Sequence, residues 1–334
     1  MEMMSRLTTH VGIALIAGFS VFAADRSATA DEGGVSFWLP GNFGSLAAAP
    51  GTPGWNFASI YYHSTVSAGG GKQFAFGGGI QAGLKANADL VFVNGTYIFP
   101  TPVLGAQASL GMAVAVGNMA PRIDATLTGP NGGVVSGSRS DSLFSYSDLY
   151  PTGSLKWNFG VHNVMVYTAW DIPAGDYQAG RLANIGIGHW AADAGAGYTY
   201  FNPATGHEFS VVTGLTYNFE NPDTNYKNGI DWHVDWAASQ FLSKQIHVGL
   251  VGYWYQQITG DSGSGATLGP FKSRVGGIGP QIGYIFPVSE SYHGYLNLKG
   301  YKEFSAENRA EGWNVWLTFA LSPAPPPPAS PVKR

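Results

Sequence analysis

From about residue 55 to residue 321 the chain alternates between apolar and polar positions with a period of two, the spacing of an extended strand whose side chains point to opposite faces. In Asp231-Trp-His-Val-Asp-Trp236, the residues Asp231, His233 and Asp235 fall on one face and Trp232, Val234 and Trp236 on the other. The same ledger sets Trp190, Ala192, Ala194, Ala196, Tyr198 and Tyr200 against His189, Asp193 and Thr199. It sets Phe209, Val211, Leu215, Tyr217 and Phe219 against Glu208, Ser210, Thr216 and Asn218. Val248, Leu250 and Trp254 oppose His247, Tyr253 and Tyr255, and Leu296 and Leu298 oppose Asn297, Lys299 and Tyr301. The last segment places Trp313, Val315, Leu317, Phe319 and Leu321 together, an apolar closing strand suited to recognition by barrel-assembly machinery.

Turn-forming clusters divide this pattern. Short connections are predicted at 99–102, 160–163, 202–206, 243–245 and 287–292. Longer polar ones are predicted near 67–83, 119–141, 173–181, 220–229, 259–273 and 304–311. Short and long connections alternate, as turns and loops do in outer-membrane barrels, and the strand count comes to about 12, an even number that puts both termini in the periplasm. The expected fold is therefore all-β, a transmembrane antiparallel up-and-down barrel over 55–321. Aromatics near segment ends, such as Trp55, Tyr62, Tyr150, Trp157 and Trp313, would supply interfacial girdles.

Composition sharpens the choice. Only 11% of the 334 residues are charged, well below the quarter or so usual in soluble domains, so much of the surface need not face water. The one long apolar run, Val11 to Ala24, is too short for a membrane helix. With Arg6 and His10 before it and Ala28-Thr29-Ala30 after it, residues 1–30 read as an export signal cleaved near Asp31. A net charge of −4 offers no basic patch for nucleic acid, and the absence of cysteine excludes disulfides, thiol nucleophiles and Cys-ligated metal. Residues 31–54 do not alternate and carry Phe37-Trp38-Leu39; they either enter the lumen as a plug or seal its periplasmic mouth, or, as composition alone equally allows, form a floppy periplasmic leader. Residues 322–334 form a Pro-rich tail of extended, polyproline-like character.

Several motifs also match a known type. Phe37-Trp38-Leu39-Pro40-Gly41 with Phe43-Gly44, Gly188-His189-Trp190, Tyr198-Thr199-Tyr200, Thr216-Tyr217-Asn218-Phe219-Glu220-Asn221, Asp231 to Trp236, Gly279-Pro280-Gln281 and Leu296 to Tyr301 together resemble the meta-pathway of phenol degradation family. The resemblance runs from about Gly34 to Pro323. It implies an outer-membrane transporter of a Gram-negative bacterium for small, often aromatic or hydrophobic molecules. It supplies no catalytic residues, and phenol as the solute does not follow from it.

The candidate chemistry is lumenal. Lys85, Asn87, Asp89, Gln107, His189, Asp193, Asp231, His233, Asp235, Lys299 and Tyr301 are expected to line a passive solute path. The clustered carboxylates and imidazoles could bind a cation or orient a polar solute, but the plainer reading is a structural network completed by Lys156, Glu208 and Glu303. No metal or other cofactor is expected, because His and Asp spaced along one strand lack an identifiable third ligand. No Gly-x-Ser-x-Gly elbow accompanies His189, His233 or His247, so the chain is not expected to be an enzyme. The partners expected are a small solute, outer-membrane lipid and the assembly machinery. A closed structural or surface-anchoring barrel and a lipid-modifying hydrolase are the rival classes.

Overall fold

A computed structural model describes residues 36–73, 79–267 and 269–324; the segment read as an export signal and most of the Pro-rich tail lie outside the described residues. The described chain forms thirteen strands: β1 (Gly54–Gln73), β2 (Gly79–Ile98), β3 (Gln107–Thr128), β4 (Val134–Ser140), β5 (Leu143–Phe159), β6 (His162–Asp171), β7 (Ala191–Asn202), β8 (His207–Asn218), β9 (Asp231–Phe241), β10 (Ile246–Gln257), β11 (Arg274–Pro287), β12 (Tyr292–Glu307) and β13 (Glu311–Pro323). Apart from β4, each pairs antiparallel with the next in order, β3 with β5, and β1 pairs with β13, so the sheet closes into a twelve-stranded barrel. Closure removes the free edges that an open sheet would leave unpaired in lipid.

The thirteenth strand, β4, pairs only with the far half of β3, where Arg122–Thr128 extends past the start of β5. β1, β2 and β3 are longer than their neighbours and continue together beyond the barrel as a fin at the end opposite the termini. This corrects two sequence expectations. Much of 67–83 and 119–141 is paired strand rather than loop, because ladder hydrogen bonds continue after the alternation of apolar residues has faded. The longest connection of the barrel is instead 172–190, between β6 and β7.

Alternation sorts the walls. Leu215, Trp232, Leu250, Ile282, Leu298 and Phe319 are exposed on the outer face, an apolar belt of the kind that faces lipid in outer-membrane barrels. The buried set inside is largely polar: Asp193, Glu208, Thr216, His233, Asp235, Gln281 and Lys299 are all below 5% exposed. The molecule is inside-out relative to a soluble sandwich, and its architecture is that of a Gram-negative outer-membrane protein.

Candidate functional site

The N-terminal segment 36–53 lies inside the barrel. It has no strand pairing of its own, so its backbone groups must find partners on the inner wall. The Asp235 carboxylate on β9 accepts the amides of Gly41 and Phe43 at 2.9 and 3.0 Å. From β12, the Lys299 ammonium donates to the carbonyls of Gly41, Asn42 and Phe43, and the Tyr301 hydroxyl donates to Gly41 as well. Residues 41–43 are thus held with their N–H groups toward an anion and their carbonyls toward a cation. Gly41 has φ +88°, and a Cβ there would meet the rings of Tyr301 and Tyr253 at about 3 Å, so the close approach requires glycine.

Further along, Glu208 on β8 accepts the Ser45 hydroxyl and the Leu46 amide, and Thr199 on β7 accepts the Ala48 amide. Gln281 donates to Ser45, Lys156 donates to the carbonyl of Ala49, and the Gln107 amide exchanges a pair of hydrogen bonds with Gly51. Such hydrogen bonds contribute roughly 0.5–1.5 kcal/mol each, and roughly 1.5–3 where one partner is ionised, so the segment is anchored at several points along its length. Trp38 lies stacked on His233, Phe37 is near Tyr150, and Leu39 and Phe43 pack against the central cluster.

Beneath Trp38, His233 Nε2 is 2.8 Å from Asp193 Oδ2, which also accepts the Thr216 hydroxyl. Asp231 accepts the Asn218 amide. Both histidine and carboxylate of the first pair are fully buried. Among the described residues no group of three or more His, Asp or Glu side chains is arranged to hold a metal.

Of the residues expected on the lumen, Gln107, Asp193, Asp231, His233, Asp235, Lys299 and Tyr301 point inward. His189 lies in the connection before β7, with Nδ1 on the carbonyl of Trp190, and burial pushes its imidazole pKa down, toward the neutral form. Lys85, Asn87 and Asp89 do not line the lumen. On β2 they share the outer face with Val91 and Val93, while Ala88, Leu90 and Phe92 point in. Polarity misleads here because the end of β2 rises out of the apolar belt, where an outward side chain meets water and an inward one meets the barrel core. The inner faces of β1, β2 and the paired half of β3 consequently carry no charge: Ala58, Ile60 and Tyr62, then Leu90 and Phe92, then Ala113 and Ala115.

At the opposite end of the barrel the 172–190 connection is held by Asp148. That carboxylate, 0% exposed, accepts the amides of Gly175 and Ile187. Asp148 reaches inward because β5 inserts Ser147 and Asp148 opposite Ala115 alone, a β-bulge in the β3–β5 ladder. Two adjacent polar residues interrupting the alternation of Ser145-Tyr146-Ser147-Asp148-Leu149 are the sequence signal for this clamp. At the same end Asp261 accepts from Tyr226, Gln257 and Gly229, and burial pushes its carboxyl pKa up.

Among solved structures, the fold is similar to that of an outer membrane channel from Pseudomonas putida F1, with a TM-score of 0.61 at 11% identity over 85% of this chain and 98% of that one. A FadL homologue of Pseudomonas aeruginosa aligns at a TM-score of 0.38 and 9% identity, over 88% of this chain and 98% of that one. No curated protein matches the sequence. Residues 47–319, well over half of the chain, match the family described as the putative MetA-pathway of phenol degradation, and this outer-membrane barrel belongs to that family.

Proposed function

We propose that the protein is a passive conduit for small hydrophobic or aromatic solutes across the outer membrane, plugged at rest by residues 36–53. The observation that carries this reading is the asymmetry of the inner wall. The charged groups of β5, β8, β9 and β12 are engaged by the backbone of the N-terminal segment. The arc formed by β1, β2 and β3 is uncharged and offers Ile60, Tyr62, Leu90 and Phe92. An apolar solute moves past such a wall without stripping water from an ion, whereas a charged one gains no counter-charge from it.

In this reading the short turns and both termini face the periplasm, so the segment enters from that side and withdraws toward it. Single-channel conductance of the refolded chain in planar bilayers, repeated with residues 36–53 deleted, is the decisive experiment. Small or no openings in the intact protein, large ones after deletion, and block of those openings by aromatic solutes are the expected results. Silence of both forms, for protein verified as folded, would favour a closed anchoring barrel instead.

A further inference from the structure

The outer face of the barrel carries a second constellation that the conduit does not use. His63 and Thr65 lie two apart on β1, so both point outward, and His63 is the cross-strand partner of Asp89 on β2. His63 Nδ1 is 2.8 Å from Asp89 Oδ1, and the Thr65 hydroxyl is 3.2 Å from His63 Nε2. The Tyr61 hydroxyl donates to the same Asp89 oxygen at 2.6 Å. A ring nitrogen facing a carboxylate carries the proton, so Nδ1 is the donor and Nε2 is left as the acceptor facing the threonine. Hydroxyl, imidazole and carboxylate then stand in the order and at the separations of a nucleophile, its base and the group that orients the base.

Depth on the barrel points to the substrate. Tyr61 shares its row with Val91 and Leu317, inside the apolar belt. Two residues beyond Thr65 the row is Glu311, Ser67, Lys85 and Arg122, entirely polar. Thr65 is flanked by its partner Trp313, 43% exposed and with its ring 4.9 Å from that of His63, an aromatic of the kind found at the membrane interface. The boundary between the apolar belt and the polar fin is the level at which the acyl esters of membrane lipids lie. The strand amides around Thr65 belong to the ladder, so a developing oxyanion needs a side-chain donor. The exposed carboxamide of Asn87, cross-strand partner of Thr65, is available for that.

We propose that Thr65, His63 and Asp89 form an esterase site on the outer wall, at the boundary between lipid and water, for carboxylic acyl esters of membrane glycerolipids. The Thr65 oxygen adds to the ester carbonyl carbon while His63 Nε2 takes its proton. Collapse of the adduct breaks the bond to the alcohol oxygen, and the departing alcohol takes the proton back from His63. Water, deprotonated by the same imidazole, then adds to the acyl carbon, and as the bond to the Thr65 oxygen breaks that oxygen takes the proton back from His63, so one ester and one water give one carboxylic acid and one alcohol. Thr65 and His63 are the catalytic residues; Asp89 and Tyr61 position the imidazole.

The test uses the full refolded chain in micelles with p-nitrophenyl butyrate, and in phosphatidylethanolamine/phosphatidylglycerol vesicles with release of fatty acid as the readout. A fluorophosphonate probe, mapped by peptide mass spectrometry, is run in parallel. Expected are saturable hydrolysis, a probe adduct on Thr65, and a loss of about 10²-fold or more in Thr65→Val and His63→Ala. Thr65→Ser is expected to retain activity, and Asp89→Asn to lower it and displace its pH profile, which a merely structural hydrogen bond between β1 and β2 would not do. The three substituted side chains lie on the outer face, and far-UV circular dichroism of each variant verifies folding. Hydrolysis no faster than that of Thr65→Val, or activity without an adduct on Thr65, overturns the proposal.

Discussion

Trp38 lies face to face with His233, their ring centroids 3.7 Å apart and their planes inclined by 15°, although 195 positions of sequence separate them. The indole covers the imidazole whose Nε2 meets Asp193, so the N-terminal segment and the buried His–Asp pair are parts of one structure. Trp38 is only 4% exposed, and replacing it by alanine empties the space over His233. Trp38→Ala is expected to weaken docking of the segment by about 3–5 kcal/mol. Bilayer conductance should then show frequent openings where the intact protein shows few; unchanged closure would mean that the polar clamps alone hold the plug.

Asp235 and Lys299 grip residues 41–43 from the amide side and the carbonyl side, so their contributions should not add. Asp235→Ala leaves a buried ammonium without its compensating charge and is expected to cost about 3–5 kcal/mol. A double-mutant cycle with Lys299→Met should give a coupling energy of roughly 0.5–3 kcal/mol. Denaturant unfolding of the barrel in detergent measures all four corners, and strict additivity would show that the two side chains hold the segment independently.

Leu250 is 52% exposed at the middle of β10, whereas the adjacent Val251 is fully buried. If that outer face meets hydrocarbon, Leu250→Arg should lower the stability of the vesicle-folded protein by about 2–4 kcal/mol. A neutral effect would place this wall outside the hydrocarbon layer.

Loop 172–190 depends on Gly188, which has φ +75° and whose added Cβ would fall 2.5 Å from the Tyr177 ring. Gly188→Ala is expected to cost about 1–3 kcal/mol of local stability. Faster trypsin cleavage after Arg181, with the barrel itself intact, is the measurement; an unchanged rate would mean that Asp148 alone fixes the loop.

In the same loop, hydrogen bonds from Ser145 and Arg181 hold the Asp176 carboxyl pKa below the usual carboxylate range. A depressed folded-state pKa gives stability that is present above the unfolded value and lost as pH falls through the folded one. Amide protection in 172–190 should therefore persist to about pH 4 and fall below it. Because the pair is part-exposed, Asp176→Asn at neutral pH should cost only about 0.2–1 kcal/mol. Hydrogen exchange reads both effects, and protection independent of pH would assign the loop's order to other contacts.

How much of this was legible in the sequence differs from element to element. From Trp190 onward alternation is strict, and it named the inward His233, Asp235 and Lys299 as well as the outward Trp232 and Leu298. Along β2 the same reasoning chose the wrong face for Lys85, Asn87 and Asp89. Alternation defines two faces, but which of them is inside depends on where the strand stands relative to the bilayer. Asp148 was not foreseen because a bulge shifts the parity of β5 partway along the strand.

The sequence by itself determined the period of two, the even strand count and the apolar belt, because these follow from residues adjacent or nearly adjacent in the chain. Only the tertiary structure decided which polar groups meet. Lys299 and Gly41 stand 258 positions apart, and Asp235 lies 194 from the amide of the same residue. Such partnerships are set by barrel closure, which brings β1 beside β13 and leaves a lumen in which buried charges and an unpaired backbone segment must satisfy one another.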